Sequence, residues 1–377
     1  MTKKTRLIIL SICAVLFLII TPYIVFYSLG YRVDFENKKI VATGGIYVRA
    51  MPNPVDVVID SKITNSTGLF SSAIFVQNLL PTLHTLAVKK EGYFDYQKNV
   101  QVKEKEVAKL EHIILFKKDI PFEILPENVN SPFDGQEIQE DYTMRNSALY
   151  YSATNTDTAL SATQKSLPIL EDIITYKVTN NSIIWLANDG FLYRSSLDGL
   201  PAQAGKEVET LTSTALTLGR KNTYEIFTFS QRIFLKENSK LLILNAKTKT
   251  LENFYSSVKD TVLSPNGQKI ILYNDHEILY SFLNSDMPEK IFLNRFSEEI
   301  TDVQWINDDY IIFTLGGKIM ISELDQNQPN IITLPQALTI NGAVFDIKNA
   351  KIQLNQQDKK LYILAKETVL ISERLIP

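Results

Sequence analysis

The chain has 377 residues, 45% hydrophobic and 21% charged, an ordinary globular composition that excludes wholesale disorder. A formal net charge of −3 offers no basic face for nucleic acid, so no nucleic-acid partner is expected. One cysteine and three histidines exclude a disulfide framework and any cysteine-built metal cluster, and no metal or other cofactor is expected.

The first element is apolar. From Leu7 to Leu29 there are 23 residues without a charge, 15 of them Leu, Ile, Val or Phe. At about 1.5 Å per residue this is roughly 35 Å of helix, enough for a hydrocarbon core of about 30 Å. Lys3, Lys4 and Arg6 precede it, so the positive-inside rule predicts a cytoplasmic N-terminus and an extracytoplasmic remainder. Tyr23, Tyr27 and Tyr31 fall toward the far interface, where aromatic rings are at home, and Pro22 is a candidate kink. The run exceeds the roughly 7–15 apolar residues of a cleaved signal peptide, which favours an uncleaved anchor. Ser28-Leu29-Gly30 is a small-x-small triplet that keeps cleavage as the alternative. Leu10-Ser11-Ile12-Cys13 departs from a lipoprotein box at the bulky Ile12, so Cys13 reads as a membrane-buried hydrophobe. Residues 1–30 are thus assigned to a cytoplasmic tip and anchor, and 31–43 to a juxtamembrane linker.

The period then becomes two. Ile46, Val48 and Ala50 alternate with Tyr47 and Arg49, Met51-Pro52-Asn53-Pro54 turns the chain, and Val55, Val57 and Ile59 follow. Leu83 to Val88, Asn99 to Val102 and His112 to Phe116 read as further strands, with a turn at Glu91-Gly92-Tyr93. Short strands with close turns predict a small all-β sandwich over 44–118. Its order of parts resembles the PEGA domain. The resemblance is carried by Gly45-Ile46-Tyr47-Val48-Arg49-Ala50-Met51-Pro52-Asn53-Pro54-Val55, Ile59-Asp60, Leu79-Leu80-Pro81-Thr82-Leu83-His84 and Lys90-Glu91-Gly92-Tyr93. Pro-Asn-Pro-Val replaces the family's Pro-Glu-Gly-Ala, and Thr82 stands where glycine is usual. The resemblance implies an extracytoplasmic sandwich that serves as an interaction or spacer module. His84 is expected to cap or pack at its turn.

From residue 119 a motif recurs, with β-formers on both sides of a polar turn. Its copies are Leu149-Tyr150-Tyr151, Ile183-Ile184-Trp185-Leu186, Ile233-Phe234-Leu235, Ile270-Ile271-Leu272-Tyr273, Tyr310-Ile311-Ile312-Phe313 and Leu361-Tyr362-Ile363-Leu364. A second strand follows the later five. Spacings of about 40–45 residues predict a β-propeller of about six blades over 119–377. Glu104 to Leu110 holds helix formers but is hemmed in by β-runs, so helix is expected only in the anchor. Ser264-Pro265-Asn266-Gly267-Gln268-Lys269 and Trp305-Ile306-Asn307-Asp308-Asp309 resemble the turns of Tol-system and prolyl-oligopeptidase-lid propellers.

Catalytic motifs are missing. There is no Gly-x-Ser-x-Gly elbow, no His-Glu-x-x-His, no phosphate loop and no dinucleotide fingerprint. His112 lies in an apolar strand and His276 on a tight turn. Glu298-Glu299 and Asp308-Asp309 are adjacent in or beside turns, where solvated charge is the expected role. Trp185 and Trp305 read as corresponding strand-flanking positions of the repeats and are expected to pack between blades. No catalytic, cofactor or metal residue is assigned. The reading is a membrane-anchored, non-catalytic scaffold that binds an envelope protein, peptide or wall polymer through its propeller. The alternative is an envelope hydrolase or lyase acting on wall glycans or peptides in the propeller channel.

Overall fold

The computed structural model describes residues 3–35, 38–68, 71–126, 129, 131–133, 142–151, 168–179, 182–196, 208–229, 231–285 and 288–377. Lys3–Ser28 is an α-helix, the only one among them. Its Thr5–Ser28 stretch is long and apolar enough to cross a membrane, and none of it is buried against the protein. Pro22 sits inside it. The helix ends where Gly30 takes φ +82°, a left-handed turn that suits glycine, with its N–H on the Tyr27 carbonyl.

The stretch assigned to a linker carries a hairpin, Tyr31–Asp34 paired with Lys39–Ala42. Thr43 then donates its N–H and hydroxyl to the Gly30 carbonyl, at 2.8 and 2.7 Å.

The sandwich is formed by two sheets. Gly44–Met51 lies between Ala73–Leu79, antiparallel, and Val107–Ile114, parallel. The facing sheet runs Lys62–Ser66, Asp56–Ile59, Leu83–Lys89, Tyr96–Gln101. The alternation read from the sequence sets the core: Ile46, Val48 and Ala50 point inward against Val57, Ile59, Leu86 and Val88. A side chain on Gly44 would collide with the backbone of Lys103 and Glu106, which explains glycine where the central strand enters. Lys62–Ser66 and Ala73–Leu79 are strands that the sequence reading omitted. The segment with helix formers joins the edge strand Val107–Ile114.

Six repeated sheets follow. The first shows two strands, Tyr142–Arg145 and Ala148–Tyr151. The second to fifth are four-stranded antiparallel meanders over 173–210, 224–255, 260–295 and 300–333. The sixth joins Lys351–Leu354, Lys360–Ala365 and Thr368–Arg374 to Phe122–Ile124, the first strand of the region. This clasp ties the beginning of the propeller to its end. First strands of the second and third, the fourth and fifth, and the fifth and sixth sheets meet one another, so they are the inner ones. All six apolar runs found in the sequence are second strands, and in the second to fifth sheets their alternate residues serve two cores. Ile270 and Leu272 pack toward the third sheet, whereas Ile271 and Tyr273 pack toward the fifth. Tyr310 and Ile312 face the sixth sheet, Ile311 and Phe313 the fourth. Burial on both faces makes these strands continuously apolar rather than alternating.

The turns between first and second strands are built by side chains. The Asn266 carboxamide oxygen accepts the Gln268 N–H, and Asn307 accepts those of Asp309 and Tyr310. A further hairpin, Ala337–Ile340 with Ala343–Asp346, lies between the fifth and sixth sheets. It shares a groove of about 540 Å³ with Lys118–Phe122.

Candidate functional site

The loops of each sheet alternate between two faces, because successive strands are antiparallel. First-to-second and third-to-fourth connections share one face, and the others share the opposite one.

The sandwich occupies the first of these faces. Lys98, on Tyr96–Gln101, reaches Glu323 Oε1 at 2.9 Å and Asp325 Oδ2 at 2.6 Å. The Tyr96 hydroxyl donates to Glu323 at 3.0 Å. The backbone N–H groups of Gln97 and Asn99 donate to the side-chain oxygens of Asn330 and Gln328. Beside them the Ile114 N–H donates to the Tyr310 hydroxyl at 3.1 Å, and Lys117 pairs with Glu373. Phe116 leaves the sandwich sheet to join the propeller core, its ring 5.5 Å from that of Tyr310. Burial, and then the Glu323 carboxylate, push the Tyr96 and Tyr310 hydroxyls above their ordinary range and keep them neutral. Desolvation raises the Asp325 carboxyl, but Lys98 and two backbone N–H groups outweigh it and hold the group low. The sequence reading missed this cluster, because its members lie more than 200 residues apart and none belongs to a motif.

Among the described residues the opposite face is open. It is formed by the turns Asn188–Gly190, Asp275–His276, Gly316–Gly317 and Lys366–Glu367 with the connections before the inner strands. These elements tie successive sheets into a ridge. The Asp275 carbonyl accepts the Ile300 N–H, the Glu299 carbonyl accepts that of Gly316, and the Gly317 carbonyl accepts that of Asn349. Lys259 reaches Asp275 at 2.7 Å and Glu299 at 3.3 Å, and Lys318 lies 3.6 Å from Glu298. These pairs are solvated, so each is worth no more than about 1 kcal/mol.

The residues weighed from sequence are scattered. His84 is buried, its Nδ1 2.6 Å from Asp60 Oδ2 and its Nε2 2.8 Å from the Leu80 carbonyl oxygen. It holds its turn locally, in line with expectation. Desolvation raises Asp60, but the His84 hydrogen bond and the Thr85 N–H outweigh it and keep the carboxyl low. His84→Ala removes one of the two partners of this half-exposed carboxylate and the link to the Leu80 carbonyl, and a loss of about 1 kcal/mol in urea unfolding is expected; an unchanged midpoint would refute a structural role.

His112 is exposed, 3.8 Å from Asp309 in the junction groove. The His276 Nδ1 faces the Glu298 carbonyl on the open face. Glu298 and Glu299 pair with different lysines. Asp308 accepts the Asn266 N–H and Asp309 pairs with Lys269, which joins the fourth and fifth sheets. Trp305 is buried between sheets with its indole N–H on the Val262 carbonyl, and Trp185 packs between the first and second. The two tryptophans are not equivalent: Trp185 is mid second strand, Trp305 ends a first strand. Cys13 is exposed on the helix.

On the inner strands, Asp302 is the one described carboxyl held above its ordinary range, by burial, with Lys351 and Lys259 opposing. Among the described residues no three His, Cys, Asp or Glu side chains gather as a metal site.

Residues 43–114 match the model of the PEGA domain. No curated protein matches the chain. Among solved structures, the N-terminal domain of Nup159 is similar at 11% identity, over 62% of this chain and 85% of that one, with a TM-score of 0.34. The propeller domain of Cps50 (Swd1) from Myceliophteria thermophila is similar at 10% identity, over 60% and 75%, with a TM-score of 0.34. The repeated-sheet architecture rests on the strand pairing itself, and the sandwich that precedes it covers the residues that match the PEGA model.

Proposed function

We propose that the protein is a single-pass membrane protein whose extracytoplasmic part is a non-catalytic interaction platform. Its propeller binds an envelope protein, peptide or wall polymer through the open face. The observation that carries this reading is the docking of the sandwich on one propeller face, which leaves the opposite ridge of turns uncovered. Loops held by a rigid scaffold are where binding residues concentrate. The apolar helix with Lys3, Lys4 and Arg6 before it supports an anchor with a cytoplasmic N-terminus. Lys259 with Asp275 and Glu299, and Lys318 with Glu298, are engaged in pairs at turns of the open face, which favours a binding surface.

The test is a photo-cross-linking residue placed in the full chain in its native envelope. His276, Glu299 and Glu367 sample the open face; Gln268 and Gln357 sample the face that carries the sandwich. Adducts of one defined species from the open positions alone are expected. Adducts from Gln268 and Gln357 equally, or none from the open face, would overturn the assignment.

A further inference from the structure

One apolar surface outside the helix belongs to no core. Val33, Phe35 and Ile40 of the first hairpin are 44%, 85% and 66% exposed. Val33 pairs directly with Ile40, so both point to one face, and Phe35, two residues on, continues it at the tip. Tyr31 begins that face by the same alternation, and its ring meets Phe26 of the helix edge-on at 5.7 Å. The apolar surface of the helix therefore passes through Tyr31 onto the hairpin.

The hairpin is also fixed to the helix end. Thr43 grips the Gly30 carbonyl with two hydrogen bonds. Arg32 donates to the Tyr27 carbonyl at 2.8 Å and lies 3.5 Å over the Tyr27 ring. Only Leu29 and Gly30 separate helix from hairpin, so a bilayer that holds the helix also meets the hairpin. The exposed Lys38 beside the tip matches the charge of anionic headgroups.

We propose that this hairpin is a membrane-interface wedge. Val33, Phe35 and Ile40 lie among the headgroups and upper acyl chains of the leaflet from which the chain emerges, and Lys38 at the turn meets lipid phosphates, while Lys39, paired with Asp34, lies on the opposite face. The wedge sets the attitude of the sandwich against the bilayer. This rests on the reading of Leu7–Leu29 as an uncleaved anchor.

The experiment uses the full chain with Cys13→Ser, which leaves a cysteine-free background. Single substitutions Phe35→Cys, Ile40→Cys, Ile20→Cys and Val344→Cys are labelled with the environment-sensitive dye NBD. Each is reconstituted into phosphatidylcholine–phosphatidylglycerol vesicles that contain nitroxide lipids. Quenching at Phe35 and Ile40 is expected to exceed that at Val344, an exposed propeller position, by roughly threefold. Quenching at Ile20 with Phe35 and Ile40 no different from Val344 overturns the wedge and leaves the anchor standing. Absence of quenching at Ile20 removes the anchor and the wedge together.

Discussion

Phe116→Ala is expected to destabilise the protein by about 4 kcal/mol, the cost of emptying a buried aromatic site. Phe116 is 1% exposed and packs in one cluster with Tyr310, Ile312, Ile319 and Leu361 of the fifth and sixth sheets. It leaves the sandwich directly after Leu115, whose N–H is still on the Met51 carbonyl. The ring is therefore the point where the sandwich core and the propeller core become continuous. Truncation does two things at once: it opens a cavity and removes the coupling between domains. Both tryptophans lie in the propeller, so indole fluorescence reports that domain alone. Amide hydrogen exchange over 44–114 reports the sandwich. In the native protein the two signals should follow the same urea transition, and in the variant they should separate. A shift below about 1 kcal/mol with coincident transitions would mean that the junction contributes little.

Lys98→Ala is expected to cost about 3 kcal/mol at neutral pH, because it leaves Glu323 and Asp325 partly buried without their common ammonium. The loss should depend on pH in a defined direction. The folded Asp325 carboxyl titrates below its reference of 3.8. Its contribution is thus fully present above that range and is lost as the pH falls through the lowered value. Without Lys98, burial raises the group with less to oppose it, so protonation on acidification relieves the variant and costs the native protein. The difference between their urea midpoints should narrow between about pH 7 and about pH 3. A gap that stays constant would mean that Lys98 acts through packing of its stem alone.

The propeller was legible because the second strands of its second to fifth sheets are buried on both faces. Six apolar runs at repeating distance are what such strands require, and Tyr310-Ile311-Ile312-Phe313 is the plainest. The sandwich was legible through Gly44–Met51, whose central position forces strict alternation. Its edge strands were hidden for the opposite reason. Val107–Ile114 keeps one side to solvent and carries Lys109, Glu111 and His112, so its composition imitates a helix. Lys62–Ser66 is largely polar in sequence and pairs on one side alone, with Asp56–Ile59. The hairpin at Tyr31–Ala42 was read as polar linker, since four-residue strands give no period to detect. The junction of Lys98 with Glu323 and Asp325 has no local signature: it exists only once the two domains meet.

The clasp has a consequence for synthesis. Phe122 faces Ser372 across the sixth sheet, so two strands made about 250 residues apart must find each other. The sandwich and the intermediate sheets leave the ribosome earlier and can fold in order as they emerge. The strand Phe122–Ile124 cannot, because its partner Thr368–Arg374 is made about 250 residues later. Through most of translation the nascent propeller is an open arc with unpaired edges, and a product that stops short of Thr368 stays so. Pairing of Phe122–Ile124 thus waits on Thr368–Arg374, and until that strand is made the nascent propeller keeps this edge open to chaperones and proteases.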